Sequence, residues 1–316
     1  MFILNFFYQL SQICHNIQLL DISFYGVISD GLADLISVQQ NLKLLRLDNC
    51  LTTDITNSLA KLPNTLIELK LYIDNKYGAE LHKPLSFIIR FTQLQKMIIS
   101  SDRLDAFEDF KTLQHAIFSQ LQVLKFQYEC PRNELLIRFL ENNGKNLKEF
   151  YINYNISNSL NSAIAKFCPD LRKLFTSFKK DELEMLKMIL SNCQYLESIK
   201  FRCCGDYLNE KEIFDVVAKY SPKNLYELKL SYSEDIKSEL LPEELESFFI
   251  SWANRTPQKS LSLFSIYNES VGSLDKIDGN KEIIEKYAEL GIIKEFKIAE
   301  YDEFDDFYGD YYIKLY

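Results

Sequence analysis

One spaced apolar pattern, L-x-x-L-x-L with Ile, Phe or Met admitted, constrains this chain more than any other feature. It reads Ile17/Leu20/Ile22, Leu42/Leu45/Leu47, Leu66/Leu69/Leu71, Leu94/Met97/Ile99, Leu121/Leu124/Phe126 and Leu147/Phe150/Ile152. It continues as Leu171/Leu174/Thr176, Leu196/Ile199/Phe201 and Leu225/Leu228/Leu230, with looser copies at Leu261/Phe264/Ile266 and Ile293/Phe296/Ile298. The copies start 25, 24, 28, 27, 26, 24, 25, 29, 36 and 32 residues apart. A single copy carries no information. Eleven in register require units that stack, because one such unit is too small to bury its own apolar face.

Helical stretches lie between the copies. Asn133–Asn142, Ser157–Phe167, Asp181–Leu190 and Asn209–Tyr220 each open with a residue able to cap free N–H groups. Each then places apolar residues at three- and four-residue spacing. Strand, turn and helix in repetition predict an α/β leucine-rich-repeat solenoid: a right-handed horseshoe with a parallel sheet on its concave face and helices outside. The first eight gaps fall in the range of about 20–29 residues that such repeats use, and the last two imply insertions. The solenoid is expected over residues 1–300, followed by an acidic, aromatic tail or cap at 301–316.

Composition narrows the function. A net charge of −9 makes the chain a poor general binder of nucleic-acid backbone, so no nucleic acid is expected. The seven cysteines include no C-x-x-C pair, which points to reduced thiols and an intracellular, cytoplasmic or nuclear location. The opening MFILNFFYQL has no basic residue after Met1 and no small-residue cleavage site. No run of about 18 apolar residues offers a membrane span. Cys14, Cys168 and Cys193 each precede a repeat's first apolar position by three residues, and Cys50 and Cys204 follow one by eight. That placement predicts small buried side chains stacked along the array, with no metal and no cofactor; Cys203 beside Cys204 is the one pair with redox potential.

Residues 42–62, LKLLRLDNCLTTDITNSLAKL, carry a more specific signal. This stretch resembles the cysteine-containing leucine-rich repeat, roughly L-x-x-L-x-L-x-x-C-x-x-I/L-T-D-x-x-x-x-x-L-A, found in the substrate-receptor halves of F-box proteins. The resemblance covers about residues 10–300. It implies the substrate-recognition part of an SCF-type, cullin-based ubiquitin ligase receptor. The first strand-like copy begins at Ile17, which leaves no room for an F-box before it in this sequence. A Skp-type adaptor is therefore expected as a partner only if an F-box is restored upstream. The alternative is a ligase-independent repeat scaffold, adaptor or inhibitor.

Strand alternation then nominates the contact residues. The position between the second and third apolar residues reads Asp21, Arg46, Lys70, Ile98, Lys125, Tyr151, Phe175, Lys200, Lys229, Ser265 and Lys297. The position two residues earlier holds Glu68, Glu149, Glu227 and Glu295 but also Lys96 and Lys173. One expectation is a mixed, solvated surface laced with cross-strand Glu–Lys pairs. The sharper one is a protein partner on the concave face, held by Arg46, Lys70, Lys125, Tyr151, Phe175, Lys200 and Lys229. In that reading the central Lys125, Tyr151, Phe175 and Lys200 grip an acidic or phosphorylated peptide.

No enzyme is expected. The three histidines, His15, His82 and His115, stand near no nucleophile, phosphate-loop or metal motif. Phe2, Ile3, Phe6 and Phe7 form an apolar end that predicts self-association or poor solubility. From Glu300 onward six acids alternate with aromatics. Three readings stay open for this tail: a cap on the last repeat, a disordered segment, or an internal competitor lying along the lysine column.

Overall fold

The computed structural model describes residues 2–23, 30–49, 51–73, 85–152, 156–232, 237–256, 259–267 and 274–300. His82, Cys50 and the tail 301–316 lie outside the described residues. The chain falls into two compact units, Met1–Cys168 and Pro169–Tyr316. The repeat pattern alone does not mark this division.

In the first unit the strands are β1 (Leu19–Ser23), β2 (Leu44–Asp48), β3 (Glu68–Ile73), β4 (Lys96–Ser101), β5 (Val123–Tyr128) and β6 (Glu149–Tyr151). Each pairs in parallel with the next in chain order. Between them run α1 (Phe2–Ile13, ahead of β1), α2 (Asp30–Ser37), α3 (Thr53–Leu59), 3-10 segments at Ser86–Arg90 and Leu104–His115, and α4 (Asn133–Asn143); α5 (Asn158–Phe167) follows. The second unit repeats the scheme. Its strands are β7 (Lys173–Ser177), β8 (Ser198–Cys203), β9 (Glu227–Tyr232), β10 (Leu261–Tyr267) and β11 (Ile293–Glu300), again parallel neighbours in chain order. Its helices are α6 (Leu183–Asn192), α7 (Glu210–Tyr220), α8 (Pro242–Ala253) and α9 (Asn280–Glu289). The leucine-rich-repeat fold expected from the pattern is the fold observed.

The apolar triads do what their spacing requires. Leu45, Leu47, Leu69, Leu71, Leu228 and Leu230 are completely shielded, and β3 alternates half-buried and buried residues along its whole length. Larger rings fill the space beneath the strands. In the second unit Phe214 stacks on Phe248 at 4.1 Å, and Trp252 packs on Phe248 at 5.7 Å while donating its indole N–H to the Lys259 carbonyl at 2.9 Å.

Helix starts follow the capping residues in part. Ser157 accepts from the Leu160 N–H at 3.4 Å, and Asn209 forms a capping box with Glu212, both bonds at 2.9 Å. Asn133 and Asp181 do not cap: Asn133 is already the first residue of α4, and α6 starts two residues after Asp181. Asp and Asn tolerate the first turn as well as the cap, so local sequence does not separate the two roles.

The position three residues before the triad is a packing site in several repeats. Cys168 and Cys193 are buried there. Gln39 uses it to accept from the Ile17 N–H at 2.8 Å and to donate to the Cys14 and Leu35 carbonyls at 2.7 and 2.8 Å. Gly144 uses it to let the next repeat close in. A Cβ on Gly144 would stand 2.7 Å from the Phe167 carbonyl oxygen and 2.9 Å from Cys168 Sγ. The Gly144 backbone is helical, at φ −64° and ψ −32°, where Gly→Ala ordinarily stabilises. Here Gly144→Ala is expected to destabilise by about 1–3 kcal/mol, as overpacking against backbone does. A urea midpoint that rises in the variant would refute this packing account.

Candidate functional site

In both units the strands present three columns of side chains on the face away from the apolar triads. The first column is Leu19, Leu44, Glu68, Lys96, Val123, Glu149 in one unit and Lys173, Ser198, Glu227, Ser262, Glu295 in the other. The middle column is Asp21, Arg46, Lys70, Ile98, Lys125, Tyr151, then Phe175, Lys200, Lys229, Phe264, Lys297. The third is Ser23, Asp48, Tyr72, Ser100, Gln127, then Ser177, Arg202, Ser231, Ile266.

One member of the middle column differs from expectation. Phe264, not Ser265, pairs with Lys229 and Lys297. The copy at Leu261/Phe264/Ile266 is thus one residue out of register. A one-residue slip exchanges the two faces of a strand, so Phe264 joins the lysines and Ser265 takes a core-side position. The Ser265 hydroxyl is buried and finds no hydrogen-bond partner among the described residues.

The face is drier than an exposed sheet surface. Arg46, Lys125, Phe175, Lys200 and Phe264 are all buried, with Lys125 only 4% exposed. Neighbouring parallel strands stand about 4.8 Å apart, so long side chains in one column lie over one another and cover each other's stems. The rings take the ammonium groups: Lys125 Nζ sits 4.1 Å from the centre of the Tyr151 ring. In the second unit Lys200 Nζ lies 4.4 Å from the Phe175 ring centre and Lys229 Nζ 5.4 Å from that of Phe264. Tyr151 and Phe175 thus each serve a lysine of their own unit.

Charge separates the two units. On the first, cations and carboxylates match: Arg46 pairs with Asp21 at 3.5 Å, Lys70 and Lys96 with Glu68 at 3.4 and 3.1 Å, and Lys125 with Glu149 at 3.4 Å. With Asp48 in the third column, its described columns hold four cations and four carboxylates. On the second, the described columns hold five cations, Lys173, Lys200, Arg202, Lys229 and Lys297, and two carboxylates, Glu227 and Glu295. Glu227 is engaged twice, accepting from the Ser198 hydroxyl at 2.5 Å and pairing with Lys229 at 2.9 Å. Arg202 lies 5.3 Å from the Tyr207 ring.

A second polar cluster stands at the ends of β8 and β9. The Glu210 carboxylate, in the first turn of α7, accepts from the Tyr232 hydroxyl at 2.9 Å, the Cys204 thiol at 3.5 Å and the Glu239 N–H at 3.4 Å. Glu210 and Tyr232 are each 1% exposed. Burial, with Glu210 beside it, pushes the Cys204 thiol up to about 12 and the Tyr232 hydroxyl well above its ordinary value. Burial likewise raises Cys203 far above the thiol range. Thiols held protonated in this way are poor nucleophiles and poor redox centres. The cluster is a tie between elements: Cys204 turns the chain at φ +66°, and its thiol locks that turn to α7.

The remaining expectations find these places. His15 holds the Ser11 carbonyl at 3.0 Å, and His115 ends the 3-10 segment Leu104–His115. Among the described residues no three His, Cys, Asp or Glu side chains gather where a metal ion could sit, and no helix is long and apolar enough to cross a membrane. At the amino end Phe6 and Ile13 are exposed, while Phe7 is half-buried against Phe6 at 5.5 Å. The unequal charge of the two sets of described columns and the Glu210 tie were both missed by sequence reasoning. The first was visible once the columns were counted by unit; the second had no signal beyond an acidic residue opening a helix.

Among solved structures the chain is similar to the leucine-rich repeat-containing protein LegL7 from Legionella pneumophila, at 14% identity and a TM-score of 0.50, over 90% of this chain and 94% of that one. Identity this low establishes a shared leucine-rich-repeat fold. No protein-family model matches the sequence, and no curated protein matches it.

Proposed function

We propose that this chain is a protein-binding leucine-rich-repeat module that holds its partner on the strand faces. The observation that carries this reading is the middle column. Cations and aromatic rings stand at regular spacing on rigid strands, on the face the hydrophobic core does not use. Rings and basic side chains held by packing cost little entropy on binding, which is the economy of a binding hot spot. The finer role, substrate recognition in an SCF-type ubiquitin ligase receptor, draws its support from the resemblance of residues 42–62; a ligase-independent scaffold or adaptor uses the same face.

The test pairs variants on opposite faces of the same repeats. Proteins captured from source-cell lysate by the tagged chain are compared for Phe175→Ala/Lys200→Gln on β7 and β8 and for Glu184→Gln/Lys187→Gln on α6, which joins those strands. Strand-face variants are expected to lose a partner, by about tenfold or more, that the helix-face variant keeps. Partners kept by the first and lost by the second would overturn the proposal. A Skp-type adaptor among the captured proteins would place the chain in a ligase, and its absence would leave the scaffold role.

A further inference from the structure

We infer that the outer flank of α1 is the contact of a two-fold dimer, packing antiparallel on α1 of a second copy of this chain. This surface is separate from the strand face, and the two readings stand or fall independently.

A helix inside a solenoid buries one flank on the repeat before it and the other on the repeat after it. Among the described residues α1 has only the second. It docks on α2 so closely that a Cβ on Gly31 would stand 2.7 Å from the Tyr8 backbone nitrogen. Along the other flank Phe6, Leu10 and Ile13 follow at four- and three-residue spacing, the seam of a packed helix pair. Leu10 is half-buried, but Phe6 is 53% exposed and Ile13 76%. The first triad shows the same gap: Ile17 is half-buried where Leu42 and Leu66 are shielded, and β1 is the outermost strand of the sheet.

Charge selects the occupant. No Asp, Glu, Lys or Arg occurs before Asp21, in a chain that is 26% charged, and Asp21 is itself held by Arg46 at 3.5 Å. A net charge of −9 opposes association of two copies in general, and an uncharged flank is where they can meet. Other exposed large apolar side chains, such as Ile89, Ile117, Tyr195 and Leu290, stand singly on separate parts of the chain, so the surface that answers α1 is another α1. Head-to-tail stacking would instead lay α1 against β11, where Lys294, Glu295 and Lys297 are exposed. A two-fold axis across the helices closes the contact, with Leu10 against Leu10 and Phe6 of each copy against Ile13 of the other. A flank of 12 residues is about 18 Å long and buries less than the roughly 800 Å² per partner of a standard interface, so a dimer of micromolar strength is expected.

The test follows the full chain by sedimentation velocity from low to high micromolar concentration. Monomer is expected to give way to dimer and to nothing larger, and the dimer should persist as salt rises because no charge joins the copies. Phe6→Lys and Ile13→Glu are each expected to weaken it by about tenfold or more. Ile117→Lys, at an exposed apolar residue outside α1, should leave it within about twofold. Mixed in equal amounts, the Phe6→Lys and Ile13→Glu chains are expected to regain the dimer, since the antiparallel contact sets one new charge against the other. Thermal unfolding reports whether each variant is folded; if Phe6→Lys is not, Ile13→Glu, at the more exposed position, carries the comparison with Ile117→Lys. A chain monomeric throughout, a dimer that salt dissolves, a mixture that stays monomeric, or oligomers that keep growing with concentration would each overturn the inference. So would a monomer captured by phosphatidylcholine vesicles and released by the same two variants, which would give the flank to a lipid surface.

Discussion

Glu210→Ala is expected to cost about 3–5 kcal/mol of stability, the scale of breaking one side of a buried charged network. The carboxylate is the common acceptor of three donors, and its loss strands the Tyr232 hydroxyl, which is 1% exposed, with the Cys204 thiol and the Glu239 N–H. An orphaned buried donor costs about 1–3 kcal/mol, so the penalty is mostly what the substitution leaves behind. Tyr232→Phe alone removes a single donor and is expected to cost about 1–1.5 kcal/mol. Combining the two should cost less than their sum by about 1 kcal/mol or more, because the double variant no longer contains the stranded hydroxyl. Urea unfolding of the four proteins measures all of these. Strict additivity, or a Glu210→Ala cost under about 1 kcal/mol, would show that water reaches the cluster and that it is not the tie described.

The architecture was legible in the sequence because the repeat states the same instruction many times. A Leu at each triad position is buried in strand after strand, and any one departure, such as Thr176 in place of an apolar residue, is outvoted by its neighbours. The reading failed where the instruction is given once. At β10 two registers compete: the pattern fits Leu261/Phe264/Ile266, whereas the other puts Ser260, Leu263 and Ser265 at the triad positions. Pairing with β9 selects the one that puts Phe264 beside Lys229. The strand-face residues Arg46, Lys70, Lys125, Tyr151, Phe175, Lys200 and Lys229 all stand in the middle column, as alternation predicts. Their burial and their charge balance were not legible, since both depend on which side chains from neighbouring repeats lie across them. A column summed over the whole chain hides that the described columns balance in one unit and hold more cations than carboxylates in the other.

The thiols lead to the second large effect, a steep loss of stability in alkali. Cys130 and Cys193 are buried, and burial pushes each up to about 12; Cys203 is fully shielded and is raised well above its ordinary value. Unfolded thiols ionise near pH 8.5. Below that pH, folded and unfolded chains hold these protons equally and the groups contribute nothing to the pH dependence. Above it the unfolded chain releases protons that the folded chain retains, so rising pH favours unfolding. Each thiol then removes about 1.4 kcal/mol per pH unit until its folded form also ionises, near pH 12 for Cys130 and Cys193. Four such groups, Cys204 included, remove roughly 5 kcal/mol per unit, against a total stability of about 5–15 kcal/mol for a typical domain. The chain is therefore expected to unfold in the absence of denaturant between about pH 10 and 12, with the raised Tyr232 hydroxyl adding to the slope above pH 10. Urea midpoints taken from pH 7 to 11 trace the curve. Cys193→Ala supplies the control: it should lower stability at neutral pH through the small cavity it leaves, and flatten the alkaline slope by about 1.4 kcal/mol per pH unit. A midpoint constant up to pH 11, or a slope that Cys193→Ala does not change, would mean that these sulfurs reach solvent in the folded chain.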